Sequence, residues 1–247
     1  MTAQNFQILN AEKHQQLGVI TTYSPQLGDS VMYSPTFPME FRDVQSCYPI
    51  FFTKDAQTGQ FYPVALFGFE PEQNLFLKDD AWQATYIPLS VSRQPFLIAR
   101  PPPAAPGDPE PSAMVSIDMD HPKLSSVSGE RLFDERGGQT QFLKTAIEKL
   151  ENLHQGLAHG SQFVAALLAH NLIESFTLEI TFIDGAQCKL DTFYTIAEEV
   201  LYKLPGDTLA SLNKQGYLQA IFMQLASFSQ LRALIARRNA GRPTADV

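Results

Sequence analysis

Two cysteines, five histidines and a scatter of loop carboxylates are the residues through which this chain could do chemistry. Cys47 and Cys188 are too few for a disulfide framework or a four-thiolate zinc site. The histidines are His14, His121, His154, His159 and His170. His154 and His159 stand five apart, on different faces of a helix, rather than at the i, i+4 spacing that brings two imidazoles to one metal. The nearest approach to a metal motif is Asp118-Met119-Asp120-His121, which opens like a D-x-D calcium loop. Lys123 then stands where that loop needs glycine, Gly129 occupies the twelfth position, and Glu130 comes one place late. We therefore expect neither a metal nor a cofactor. Glu130, Asp134 and Glu135 with Asp118 and Asp120 could supply an acidic pocket for proton transfer, yet loop carboxylates are usually solvated. Phosphate-binding glycine loops, C-x-x-C, H-E-x-x-H and G-x-S-x-G are all absent.

A second kind of chemistry is recognition by aromatic faces. Trp82 and Tyr86 are four apart, a spacing that shares one face on a helix or a strand, and Arg93 follows in SVSRQPF. Two rings and a cation can hold a peptide or a small planar anion. The competing reading makes both rings core and Arg93 a surface cation. The candidate binding residues are Phe69, Trp82, Tyr86, Arg93 and Asp118.

The elements that must position these residues change character along the chain. Residues 1–46 carry scattered Pro and Gly with little periodicity and read as an irregular lead-in. Residues 51–100 are dense in aromatics and punctuated by turn chemistry at Thr58-Gly59, Pro71-Glu72 and Lys78-Asp79-Asp80, the pattern of short strands. Residues 101–111 hold six prolines and must be an extended loop or linker. Residues 113–120 alternate imperfectly and predict one more strand.

The second half is helical in period. Leu143, Ile147, Leu150 and Leu157 predict a helix over 140–157 that stops near Gly156. Phe163–Leu172 predicts a second helix, apolar nearly all round and hence buried. FTLEITFI from Phe176 alternates into Asp184-Gly185, a two-residue hairpin signal, and returns through Gln187–Tyr194. Thr195 and Glu198 fit a capping box for a helix through Lys203. Leu218, Ile221, Phe222, Leu225, Phe228, Leu231 and Ile235 form one stripe on a final helix from Leu209 or Gly216 to about Arg238. Late arginines suit its dipole, or a basic tail docking on an acidic partner. The expected fold is α+β, a mainly antiparallel sheet from 47–120 and 176–194 packed by helices at 140–172 and 197–238. One domain over 47–247, with the proline segment as a loop within it, is the organisation expected.

Charge limits the partners. With 18 Lys+Arg against 26 Asp+Glu the formal net charge is −8, which disfavours a dedicated nucleic-acid binder. No apolar run reaches membrane-spanning length, and the first residues lack the basic and apolar regions of a secretory signal. A cytoplasmic location is expected.

Several strings together resemble the bacterial SapC family: Glu40-Phe41, Tyr48-Pro49-Ile50-Phe51-Phe52, Gly59-x-Phe61-x-Pro63-Val64-Ala65-Leu66, Glu72-x-Asn74-Leu75-Phe76, Trp82-x-Ala84-x-Tyr86-Ile87-Pro88 and Arg93-x-Pro95-Phe96. Looser similarity continues through Leu132-Phe133, Gly137, Asp184-Gly185, Tyr194-x-Ile196 and Gly216-Tyr217-Leu218, so that it spans about residues 36–238. The family's name is tied to surface-layer proteins. Its members are often encoded near TonB-dependent receptors, tryptophan-halogenase-like proteins and cupin-like proteins, and the resemblance brings no catalytic motif. The expected function is a non-catalytic or accessory protein that binds a partner protein or peptide, with a homodimer face as a further option. The alternatives are an enzyme of unfamiliar type with its site around Trp82, Tyr86, Arg93, Asp118 and Asp134, and a surface-layer structural subunit.

Overall fold

The structure, a computed structural model, describes residues 5–99 and 113–240. The proline segment 101–111 lies outside the described residues. The strands of the two three-stranded sheets and of the five-stranded sheet pair antiparallel and helices pack against strands, so the fold is α+β. Contacts divide the chain into two compact units, one of residues 1–29, 79–82 and 89–155, the other of residues 30–78, 83–88 and 156–247.

The first unit contains a three-stranded sheet in which Met114–Asp118 lies between Phe6–Ile8 and Phe96–Ala99. In a smaller sheet Gly18–Val19 is flanked by Leu124–Ser125 and Glu130–Arg131. Val19, Phe96, Ile117, Leu132, Phe133, Leu143, Ala146 and Leu150 form its core. Leu143, Ala146 and Leu150 recur at three- and four-residue intervals, which brings one stripe of the helix inward.

The second unit is built on a five-stranded sheet in the order Ile173–Thr181, Gln187–Ile196, Ile50–Lys54, Phe61–Leu66, Tyr33–Pro35. The predicted hairpin forms with a loop longer than the two residues expected: Thr181 pairs with Gln187, Phe182 N–H donates to the Ala186 carbonyl, and Gly185 has φ 79°, a left-handed turn position that glycine takes without strain. Phe51 and Phe52 point to opposite sides of their strand because side chains alternate. Phe51 meets Phe176, Phe193 and Phe228 at ring-centroid distances of 4.9, 5.4 and 5.1 Å. Phe52 meets Phe163, which also packs on Phe41 and Tyr217. The strand Tyr33–Pro35 comes from the lead-in expected to be irregular, as do Phe6–Ile8 and Gly18–Val19. All three are too short to show a period and are held by later partners.

Helix boundaries depart from the sequence expectation for identifiable reasons. One helix, Gln141–Ala169, replaces the two expected on either side of Gly156. Gly156 does not end it. Phe37 lies against the bare backbone there, and a Cβ at 156 would stand 2.2 Å from the Phe37 Cε2. The glycine admits a ring at close approach. Thr195 does not cap a helix either. It is a strand residue whose hydroxyl accepts from Gln224 Nε2, and the helix that follows is only Glu198–Leu201. The long C-terminal helix is broken into Gly206–Lys214, Tyr217–Ala226 and Gln230–Asn239, the first break at Gly216 with φ 75°. At the second break, Gln224 and Ser227 turn inward and are fully buried. Gln224 Nε2 donates to the Ile50 carbonyl at 2.7 Å, and Ile50 N–H donates to Ser227 Oγ at 2.8 Å. Side-chain hydrogen bonds thus satisfy a buried strand residue that has no ladder partner on that side.

Candidate functional site

Three of the five sequence candidates, Trp82, Arg93 and Asp118, belong to the first unit. They gather around a pair that sequence reasoning did not single out as a site. Lys123 Nζ lies 2.8 Å from Asp29 Oδ1, with both side chains almost completely buried. Asp29 Oδ2 accepts the Ser24 N–H, and Lys123 Nζ also donates to the Thr22 carbonyl. The Lys123 ammonium stands 4.0 Å from the centre of the Tyr23 ring, a cation–π contact in a desolvated place. Trp82 packs edge-on against the same Tyr23, at 5.6 Å. The row Trp82, Tyr23, Lys123, Asp29 is therefore continuous.

His121 joins this cluster by accepting the Lys123 backbone N–H at Nδ1, 3.1 Å away. Burial and the Lys123 charge lower its pKa, while Asp118 and Asp29 act in the opposite sense and Arg93 adds a smaller lowering. Arg93 and Asp118 are thus within electrostatic reach of one imidazole. Their own bonds are local: Arg93 Nη1 donates to the Phe96 carbonyl, and Asp118 Oδ1 accepts the Asp120 N–H. Burial also pulls the Lys123 ammonium below its ordinary value, opposed by the hydrogen bond it donates to Asp29, and pushes the Tyr23 hydroxyl up. The cluster is closed to substrate, since Lys123 and Asp29 are nearly inaccessible. Its chemistry is that of a buried ion pair, and the one sequence signal for it was Lys123 misplaced in a calcium-like loop. Among the described residues no group of three or more His, Cys, Asp or Glu is arranged to hold a metal.

Phe69 and Tyr86 belong to the second unit. The strand that carries Trp82 is only Ala81–Trp82, so Tyr86 does not continue it. Tyr86 donates its hydroxyl to Glu40 Oε1 at 2.8 Å, and Thr36 Oγ1 donates to Glu40 Oε2 at 2.7 Å. Tyr48 in turn donates its hydroxyl to the Tyr86 carbonyl. Glu40 is 3% exposed, and burial beside it raises the Tyr86 pKa far above the phenol range. Phe69 is buried edge-on against Phe182, on which the Arg238 guanidinium stacks at 4.5 Å while pairing with Asp184 at 3.1 Å. Its neighbour Arg237 covers Phe76 and donates to the Gln83 carbonyl. These two late arginines are occupied within the fold.

Two of the concavities among the described residues bear on the candidate sites. One, in the first unit, is a polar cleft of about 660 Å³ between Gln15, Gln16, Arg131 and the turn Phe133–Glu135, closed by Thr140. Asp134 lines it, as the enzymatic alternative would ask. Its Oδ1, however, accepts the backbone N–H groups of Arg136 and Gly138, and Arg131 donates to the Gln16 carbonyl. The other, in the second unit, is an apolar groove of about 400 Å³ between Gly59, Gln60 and Phe61 on one side and Ser161, Val164, Ala165 and Leu168 on the other. The segment Phe163–Leu172, expected to be buried, therefore has an open side at Leu168, 46% exposed, and Leu157 earlier on the same helix is 44% exposed. Phe61 meets Tyr194 edge-on at 4.8 Å, and Lys54 Nζ stands 4.7 Å and 5.0 Å from the two ring centres.

With this geometry in hand, the SapC family model matches residues 9–234. The chain belongs to the SapC family. Neither a curated protein nor a solved structure matches it. The strings that carry the SapC resemblance are largely scaffold residues in this fold. Tyr48 packs edge-on against Phe67 and Phe76, Asn74 Oδ1 accepts the Phe76 N–H, and Glu40, Tyr48 and Tyr86 form one hydrogen-bonded chain. Among the SapC strings, Gly59 and Phe61 line the apolar groove and Phe133 lines the polar cleft.

Proposed function

We propose that this SapC-family protein is a non-catalytic accessory protein that binds a partner protein or peptide. The observation that supports the reading is a contrast in where apolar surface lies. Most of the aromatic block is consumed in the core, whereas a helix face at Leu157 and Leu168 is left to solvent beside an apolar groove. Exposed apolar surface rimmed by polar residues is a mark of interaction sites. The family's frequent neighbours, TonB-dependent receptors and halogenase-like or cupin-like proteins, supply the class of partner, and a cytoplasmic location is part of the reading. The test is affinity purification of the tagged protein from the soluble fraction of its source cell, with mass spectrometry of what is retained. A stoichiometric partner is the expected result. Recovery of the protein alone, or its absence from the soluble fraction and presence in the envelope, would overturn the reading.

A further inference from the structure

We infer that the groove beside Phe61 is the docking surface for that partner, and that the docked segment is amphipathic, with apolar side chains next to a carboxylate. The inference rests on the partner-binding reading and assigns it a place and a chemistry. Leu157, Ser161, Ala165 and Leu168 recur at three- and four-residue intervals on Gln141–Ala169, so they form one outward stripe. At 1.5 Å per residue the stripe is about 16 Å long, enough for two to three turns of a partner helix or five residues of a strand. The groove's seven lining residues include no charged side chain. Its volume lies in the range of ligand sites, but small-molecule sites enclose most of their ligand, whereas this one is open along the helix, as suits side chains offered by a protein.

Charge selects among such segments. Phe61 is both a wall of the groove and the ring under the Lys54 ammonium, so an exposed cation stands at the groove's edge with its ammonium against two rings. The neighbouring Asp55 is turned into its own loop, its Oδ1 accepting from Gln57 N–H, Thr58 N–H and Thr58 Oγ1. That carboxylate is held away from competing for Lys54. A partner carboxylate meeting Lys54 would make a rim ion pair, worth a few-fold in affinity and more in choosing register and partner.

The experiment is selection of a random dodecapeptide phage library on the folded full-length protein, in parallel with Leu168→Glu and Lys54→Glu. Both substituted side chains are exposed, and circular dichroism melts verify that each variant folds. The wild type should enrich peptides with Leu, Ile or Phe at three- or four-residue intervals beside Asp or Glu. Leu168→Glu should weaken those peptides by more than tenfold. Lys54→Glu should weaken them about threefold and shift selection toward Lys or Arg. Failure to enrich such peptides, enrichment unchanged in Leu168→Glu, or enrichment with no charge reversal in Lys54→Glu would overturn the inference. So would a dimer that Leu168→Glu dissolves, since the occupant would then be a second copy, or binding to anionic vesicles through the same face. If a cellular partner co-purifies equally with wild type and Leu168→Glu, the groove is wrong while the partner-binding reading stands. If no partner co-purifies with wild type, the reading itself fails.

Discussion

Replacing Lys123 by methionine should destabilise the first unit by about 3–5 kcal/mol, the cost of leaving one member of a buried ion pair alone. At 2.8 Å and an effective dielectric constant of about 20, the Coulomb attraction between Lys123 and Asp29 is about 6 kcal/mol. Desolvation of the two ions, several kcal/mol each, cancels most of this, so the intact pair contributes little net stability. The single substitution is different. It keeps the bulk of the stem, removes the attraction and the Tyr23 contact, and leaves the fully buried Asp29 carboxylate without its cation. Trp82, the sole tryptophan, packs on Tyr23 and reports on this unit without a label. Followed by Trp82 fluorescence in urea, the midpoint should fall by about 2 M if m is near 2 kcal/mol/M. The double variant Asp29→Asn with Lys123→Met removes both charges and should be more stable than Lys123→Met alone. A midpoint for Lys123→Met within about 0.3 M of wild type, or a double variant worse than the single, would refute the reasoning.

Three further outcomes test other parts of the fold. Gly156→Ala should destabilise by about 1–3 kcal/mol through the Phe37 clash despite the better helix propensity of alanine, whereas Gly160→Ala, whose Cβ would lie 3.4 Å from Phe37 Cβ, should be neutral or stabilising by up to about 1 kcal/mol; thermal melts compare them. Tyr86→Phe removes a hydroxyl donor from buried Glu40 and should cost about 1.5–3 kcal/mol in urea unfolding, with no loss for an exposed control such as Tyr202→Phe. Burial lowers the pKa of both His14 and His121 from 6.5. The unfolded chain therefore binds more protons than the folded one as pH falls from about 6.5 through the folded values, and stability present above pH 6.5 is progressively lost. His121→Asn keeps an acceptor for the Lys123 N–H and should flatten part of that acid limb in pH-dependent melts; an unchanged slope would contradict the assignment.

Local pattern determined much of the architecture. Alternation around Asp184-Gly185 encoded the hairpin, because side chains in a strand repeat every two residues and the turn needs a left-handed glycine. Helical spacing of Leu143 and Leu150 encoded the inward stripe of the long helix, and the fold class followed from strands preceding helices. Tertiary structure decided what local pattern leaves open. Gly156 looks like a helix end in sequence and is a contact point because Phe37, distant along the chain, arrives there. Thr195 and Glu198 match a capping box, yet Gln224 claims the hydroxyl. Phe69, Trp82, Tyr86 and Arg93 have the residue types of a recognition surface, and whether a ring is platform or core depends on what covers it. Lys123 and Asp29 carry no sequence signature as a pair, since an ion pair needs only proximity and many residues separate them. The groove at Phe61 is equally invisible, because it exists only where a hairpin loop and a helix face leave space between them. Sequence fixes which faces are apolar; only the folded chain determines which of them remain uncovered.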